Sequence, residues 1–248
     1  MISYIMNVID NVFIQYDRWE FWLTGIRASL TLTVFGLILG IFIGLFIALV
    51  RVTHDSMLNP HFLIRIPNRI VRTYVTVLRG IPVVIQIMIF NFVILSASRN
   101  QILIGSLAFG FNSGAYVSEV FRSGILSVDK GQTEAGRSLG FSYPKTMIKI
   151  ILPQALKNSV PALCNEFISL FKETSIAGYA AITEVTHVGN IIRGLTFNPA
   201  PLFFVAAFYL IVVVILEFIF GKVEKRLRKS DLRVANIKRK GLRKNDQS

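Results

Sequence analysis

One cysteine, Cys164, occurs among 248 residues, so the chain can close no disulfide on itself and offers no cysteine cluster for zinc. A lone thiol of this kind is expected to act as a small buried hydrophobe. Charge is also scarce, at 17% of residues where soluble domains carry about a quarter. Hydrophobic residues make up 53%, and mean hydropathy is +0.57. The three histidines, His54, His61 and His187, are scattered and suggest neither a metal site nor a catalytic constellation. No G-x-x-x-x-G-K-[ST] phosphate loop is present, so nucleotide hydrolysis is not expected from this chain. The first 25 residues have no basic leader and are interrupted by Asp10, Asp17 and Glu20. They are not expected to be a cleavable signal, and the first apolar run then serves as both address and membrane span.

Long apolar runs are what the sequence does have. Residues 28–50 contain no charge over 23 positions, and at about 1.5 Å per residue they cross a hydrocarbon core of about 30 Å. Gly36, Gly40, Gly44 and Ala48 recur every fourth residue and line one face. Such a stripe invites close approach of another helix, without telling whether that helix belongs to the same chain. A second span is expected at 81–97 and a third at 102–121, separated by the polar turn Ser98-Arg99-Asn100-Gln101. Residues 122–150 are polar and basic, broken by Gly140 and Pro144, and read as a loop. A fourth span at 155–180 is interrupted by Lys157, Glu166, Lys172 and Glu173, whereas the fifth at 201–220 is clear, with Glu217 near its end.

The net charge of +13 does not mark a nucleic-acid binder, because Lys and Arg lie between apolar runs and in a tail rather than along one soluble face. Five of them fall in 51–79, six in 122–158 and eleven in 222–244, together 22 of 27. Basic residues are retained on the cytoplasmic side. The arrangement that collects them there has five transmembrane helices, an external N-terminus and a cytoplasmic C-terminus. Dropping the fourth span would put the 122–158 loop or the tail outside. The basic tail over 222–248 reads as a topology anchor, with binding to anionic lipid head groups as the second reading.

The most informative stretch is GQTEAGRSLGFSYPKTMIKIILPQAL, residues 131–156. Thr133 to Leu139 is expected to be a short helix ended by Gly140 in a left-handed cap. Ser142 is placed to cap a second helix with Pro144 in its first turn. The product is an all-α membrane protein with a helix-turn-helix over 125–153 projecting toward a soluble partner. GQTEAGRSLG followed by ILP resembles the EAA loop of type I ATP-binding-cassette importer permeases, and more closely the polar amino acid branch with histidine, glutamine and arginine-type permeases. LRGIPVVIQ at 78–86, GAYVSEVFRSGI at 114–125 and PALCNEFISLFKETSI at 161–176 agree with that family in order.

The resemblance implies a permease subunit that moves a polar amino acid into the cell and has no ATPase site of its own. Glu134, Ala135, Gly136 and Gly140 would sit in a cleft of a separate ATPase dimer, which carries the ATP and Mg. It further implies a second permease (an identical copy or a paralogue), an extracytoplasmic amino-acid-binding protein, and residence in a bacterial cytoplasmic membrane. Gly136 departs from the family, which usually has a second alanine there; glycine costs a helix ~1 kcal/mol and is expected to soften the docking helix.

Ionisable residues inside spans are expensive and point to a cavity or partner. Glu166, about two turns past Pro161 and next to Asn165, has two readings: a carboxylate for a substrate ammonium, or an interhelix or intersubunit hydrogen bond. Gln86, Tyr116, Thr174 and Ser175 are further candidates for lining a polar path. Glu119 and Arg122, three apart, are expected to pair along one helix. Lys172 and Glu173 are adjacent and face different sides. The alternative to an ATP-driven permease is a secondary transporter or channel working alone, but no internal repeat of the kind such carriers show is visible.

Overall fold

A computed structural model describes residues 6–7, 9–57 and 59–245, with side chains as far as residue 227. Most of the basic tail's side chains therefore lie outside the described residues. Among the described residues the structure is helical, with no strand. After short irregular turns at Asp10–Ile14 and Gln15–Asp17, α1 runs over Arg18–Asp55, α2 over Phe62–Gly80 and α3 over Val83–Ile89, continued by a π turn at Phe90–Ile94. Then come α4 (Gln101–Leu126), α5 (Lys130–Ser138), α6 (Tyr143–Thr146), α7 (Leu152–Glu173), α8 (Val185–Thr196) and α9 (Ala200–Asn245).

The centre of the bundle is α4, clasped by α1. Cβ atoms added at Gly36, Gly40 and Gly44 would lie 3.0, 2.9 and 2.7 Å from Phe109, Ser113 and Val117. Both helices thus advance by four residues per contact, and the glycine stripe of α1 meets a helix of its own chain. Without side chains on that face the two backbones approach closely, and dispersion holds them. α4 answers with Gly110 and Gly114, which receive Leu39 and Ile43. Leu32, Ile87, Ala108, Phe109 and Leu170 close one core cluster, and Ala48, Val117 and Phe121 another.

The second apolar segment is shaped differently from the expectation of a straight span at 81–97. Val83–Ile94 is twelve residues, about 18 Å at 1.5 Å per residue, too short to cross alone. It forms a bent pair with Phe62–Gly80, at 108°. The break has a local cause: Pro82 lacks an N–H and disfavours helical geometry at the residue before it, and Ile81 is extended at φ −97, ψ 132. Arg-rich α2 is therefore no free loop. Val71 and Val75 pack on Ile47 and Ala115, and the Tyr74 hydroxyl donates to the Phe111 carbonyl.

α7 ends at Glu173, earlier than the expected span, and Thr174–Ala180 tightens into a 3-10 turn. The outer faces of α1 and α9 stay bare: Phe42 and Phe46 are 69% and 63% exposed, as are Leu210 and Phe218 at 65% each. Water does not tolerate such contiguous apolar faces, whereas hydrocarbon does. This is an integral membrane protein.

Candidate functional site

Three places concentrate the polar residues of the bundle. The first is the side of α4 left open between α2 and α7. Ser113, buried on α4, donates a hydrogen bond of 2.7 Å to Glu166 on α7. Glu166 itself is half-buried, and its neighbour Asn165 is exposed. One residue is a 100° step on a helix, so the two do not share a surface. Asn165 lines a small cavity of about 110 Å³ with half-buried Cys164 and with Glu217 and Glu224 of α9. Cys164 is thus not the fully buried hydrophobe expected. Asn165, Ser169 and Lys172 recur at four- and three-residue steps and are all exposed, a polar strip unsuited to lipid.

Tyr116 lies on the same open side of α4, with the Arg79 guanidinium 5.1 Å from its ring centre. Gln86, expected on the path, is instead buried and serves the break between α2 and α3. Its amide donates to the carbonyls of Leu78 and Ile81 at 2.7 Å each and accepts from Asn112 at 3.2 Å. It satisfies carbonyls that the interrupted helix leaves open. Thr174 is also buried, bonded to the Phe171 carbonyl and 3.3 Å from the Tyr209 hydroxyl. Ser175 donates to the Lys172 carbonyl.

Glu119 does not pair with Arg122 as the three-residue spacing suggested. It pairs across helices with Arg51 of α1, while the Arg122 Nε is buried without a hydrogen-bond partner among the described residues. The packing of α1 on α4 brings Arg51 closer than the along-helix neighbour, which sequence spacing alone cannot reveal.

The second place is the loop after α4. Asp129 caps α5 by accepting from the Gly131 amide at 2.6 Å. The helix ends at Gly140, φ +80, with Phe141 N–H donating to the Gly136 carbonyl, the left-handed stop expected there. Ser142 stands at the start of α6 but makes no side-chain cap, and Pro144 occupies its first turn. α6 runs through the π turn Met147–Ile151 straight into α7, so the loop's second arm is the base of a bundle helix. Glu134 and Ala135 face outward, and Gly136 faces inward. A Cβ at Gly136 would lie 2.7 Å from Thr146 and 3.1 Å from Ile150. Glycine there allows α5 to press on the second arm, a reason for it that helix propensity does not supply.

A third polar centre was not visible in the sequence reading. Glu184, fully buried between the last 3-10 turn and α8, caps α8 by accepting from the Thr186 and His187 amides at 2.7 Å. The Tyr209 hydroxyl donates to it at 3.0 Å. Burial pushes its carboxyl up to about 7, against the hydrogen bonds that favour the ionised form. The available signal was a Glu immediately ahead of the apolar-periodic run Val185–Ile192, a cap position.

The chain as a whole is similar to known proteins. The family described as binding-protein-dependent transport system inner membrane component matches residues 40–229. The arginine transport system permease protein ArtQ of Bacillus subtilis is 35% identical over 215 residues, covering 85% of this chain and 94% of that one. A putative glutamine transport system permease protein of Rickettsia conorii is 34% identical, covering 92% and 99%. A crystal structure of an amino acid ABC transporter with histidines superposes with a TM-score of 0.73 at 31% identity, covering 84% of this chain and 94% of that one. With the family matched from the middle of α1 into α9, this chain belongs to the inner membrane components of binding-protein-dependent transport systems, the permease subunits of ABC importers.

Proposed function

We propose that this permease carries a polar amino acid inward through a path along the open side of α4, with Glu166 receiving the substrate's cationic group. The observation that carries the reading is the Glu166 carboxylate itself: half-buried in a membrane bundle, held by one hydroxyl, and given no cation among the described residues. An unpaired carboxylate at such a place calls for a positive ligand. Relatives named for arginine, cystine and glutamine transport support an amino acid as that ligand.

Five spans account for the chain when α2 and α3 are taken together as the second, with the N-terminus outside and the loop and tail in the cytoplasm. The outward residues Glu134 and Ala135 dock on an ABC ATPase, which binds ATP and Mg and whose closure moves α7 through its continuous junction with α6. A second permease, identical or paralogous, completes the path, and an extracytoplasmic binding protein delivers the amino acid. Switching of access is rigid-body motion of packed helices.

Uptake of labelled amino acids by cells carrying Glu166→Ala tests the site. Uptake is expected to fall at least about tenfold, the loss of one charge-assisted contact, while the ATPase still co-purifies in full. Unchanged uptake, or loss of the ATPase together with uptake, assigns Glu166 to packing instead.

A further inference from the structure

Arginine in a membrane helix is costly unless it meets an anion, a carbonyl or water. α2 carries Arg65, Arg69, Arg72 and Arg79 at steps of four, three and seven residues, which keeps them on one side. Ile66, Ile70 and Val77 form a separate exposed stripe, and Val71 and Val75 are buried against the bundle. The apolar stripe suits lipid, so the arginine side faces water. There, Arg51, Arg72, Val75, Thr76, Arg79 and Glu119 line a recess of about 320 Å³, large enough for an amino acid.

Two of its three cations are already answered. Arg51 pairs with Glu119, and Arg72 reaches Asp55 at 2.8 Å. Arg79 has neither hydrogen bond nor ion pair among the described residues; its guanidinium stands over Tyr116. It sits immediately before the Gly80–Pro82 break, where the bent pair turns into the bundle. Tyr116 is one turn from Ser113, which holds Glu166. Along α4, then, Tyr116 carries a guanidinium with no ion pair among the described residues, and Ser113, one turn away on the helix, holds a carboxylate with no cation among them, the charge pattern of a zwitterion in mirror image.

We infer that Arg79 is a substrate-binding residue that takes the carboxylate of the translocated amino acid, in the recess it shares with Arg51 and Arg72. The inference rests on the importer reading and adds a second pole to it. Guanidinium matches a carboxylate through two parallel N–H donors, which a lysine ammonium cannot reproduce. The same oxyanion chemistry is offered by a phospholipid phosphate, and the test separates the two sources.

Uptake by the intact transporter from a panel of the twenty labelled amino acids first identifies the one carried. That amino acid and its C-terminal carboxamide are then titrated onto the purified complex without its binding protein, for the native chain, Arg79→Gln and Arg79→Lys. The native complex is expected to bind the acid about tenfold or more tighter than the amide. Arg79→Gln should erase the preference by weakening the acid, and Arg79→Lys should keep part of it; equal recovery of the ATPase verifies assembly. No preference in the native complex, or the full preference in Arg79→Gln, overturns the role of Arg79 while leaving the importer standing. Arg79-dependent retention of phosphatidylglycerol in native mass spectra, with the acid preference unmoved, overturns it in favour of lipid. Absence of uptake for all twenty overturns the importer reading itself, and this inference with it.

Discussion

At Glu184 the chain buries a carboxylate beyond the reach of water and ties three groups to it: two backbone amides and a tyrosine hydroxyl, which brings in α9. Its carboxyl stands near 7 instead of 4.5 because burial outweighs those bonds. With the folded value above the unfolded one, the folded chain holds the proton more tightly. Its stabilising effect is complete below about pH 4.5, declines as pH rises, and is gone above 7. Over that window the native complex should lose thermal stability, by on the order of 3 kcal/mol at most. Melting of the purified complex between pH 4.5 and 8 checks this. Glu184→Gln should flatten the slope, and an equal slope in both proteins would remove Glu184 as its source. Gly136 teaches the complementary lesson at this scale. Its sequence context spoke only of helix propensity, while Thr146 and Ile150, ten and fourteen residues on, decide what fits there.

Among elements, the contact of α1 with α4 sets the frame on which the polar side of α4 is displayed. Gly44 is its tightest point on α1, with the Ser118 backbone nitrogen 2.8 Å from an added Cβ and unable to give way. Gly44→Val should therefore lower stability by about 1–3 kcal/mol, the usual cost of overpacking. Gly221 on α9 meets nothing within 4 Å, so Gly221→Val should be near neutral. Melting of both variants in mild detergent measures the difference, and equal stability would refute a close helix contact at Gly44. The stripe was legible because a four-residue repeat of small residues has one physical use in a membrane helix. Its partner was not, since Phe109, Ser113 and Val117 carry no mark of facing glycine. The bend of α2 against α3 was half legible. Gly80 and Pro82 announce a break, but Arg65 to Arg79 make the first arm resemble a water-exposed loop. Only the packing of Val71 and Val75 reveals that it belongs to the bundle.

For the whole molecule, the family was legible because its motifs extend from the end of α2 through α7 and the loop residues 131–140 are distinctive. The path was less so. Gln86 and Thr174 are polar residues in apolar surroundings, and sequence cannot separate those that line a cavity from those that satisfy a broken helix or a buried hydroxyl. What remains on the open side of α4 is Tyr116 and Glu166, joined by Arg79. The account as a whole stands on energy supplied from outside this chain, through the outward face of α5. The most direct measurement is purification of the tagged chain from its native cell in several mild detergents, native and as Glu134→Lys, with the co-purifying subunits quantified. The account predicts an ABC ATPase in about equal amount with the native chain and its loss or uncoupling with Glu134→Lys. Recovery of the native chain alone in every detergent, with transport intact, would contradict it.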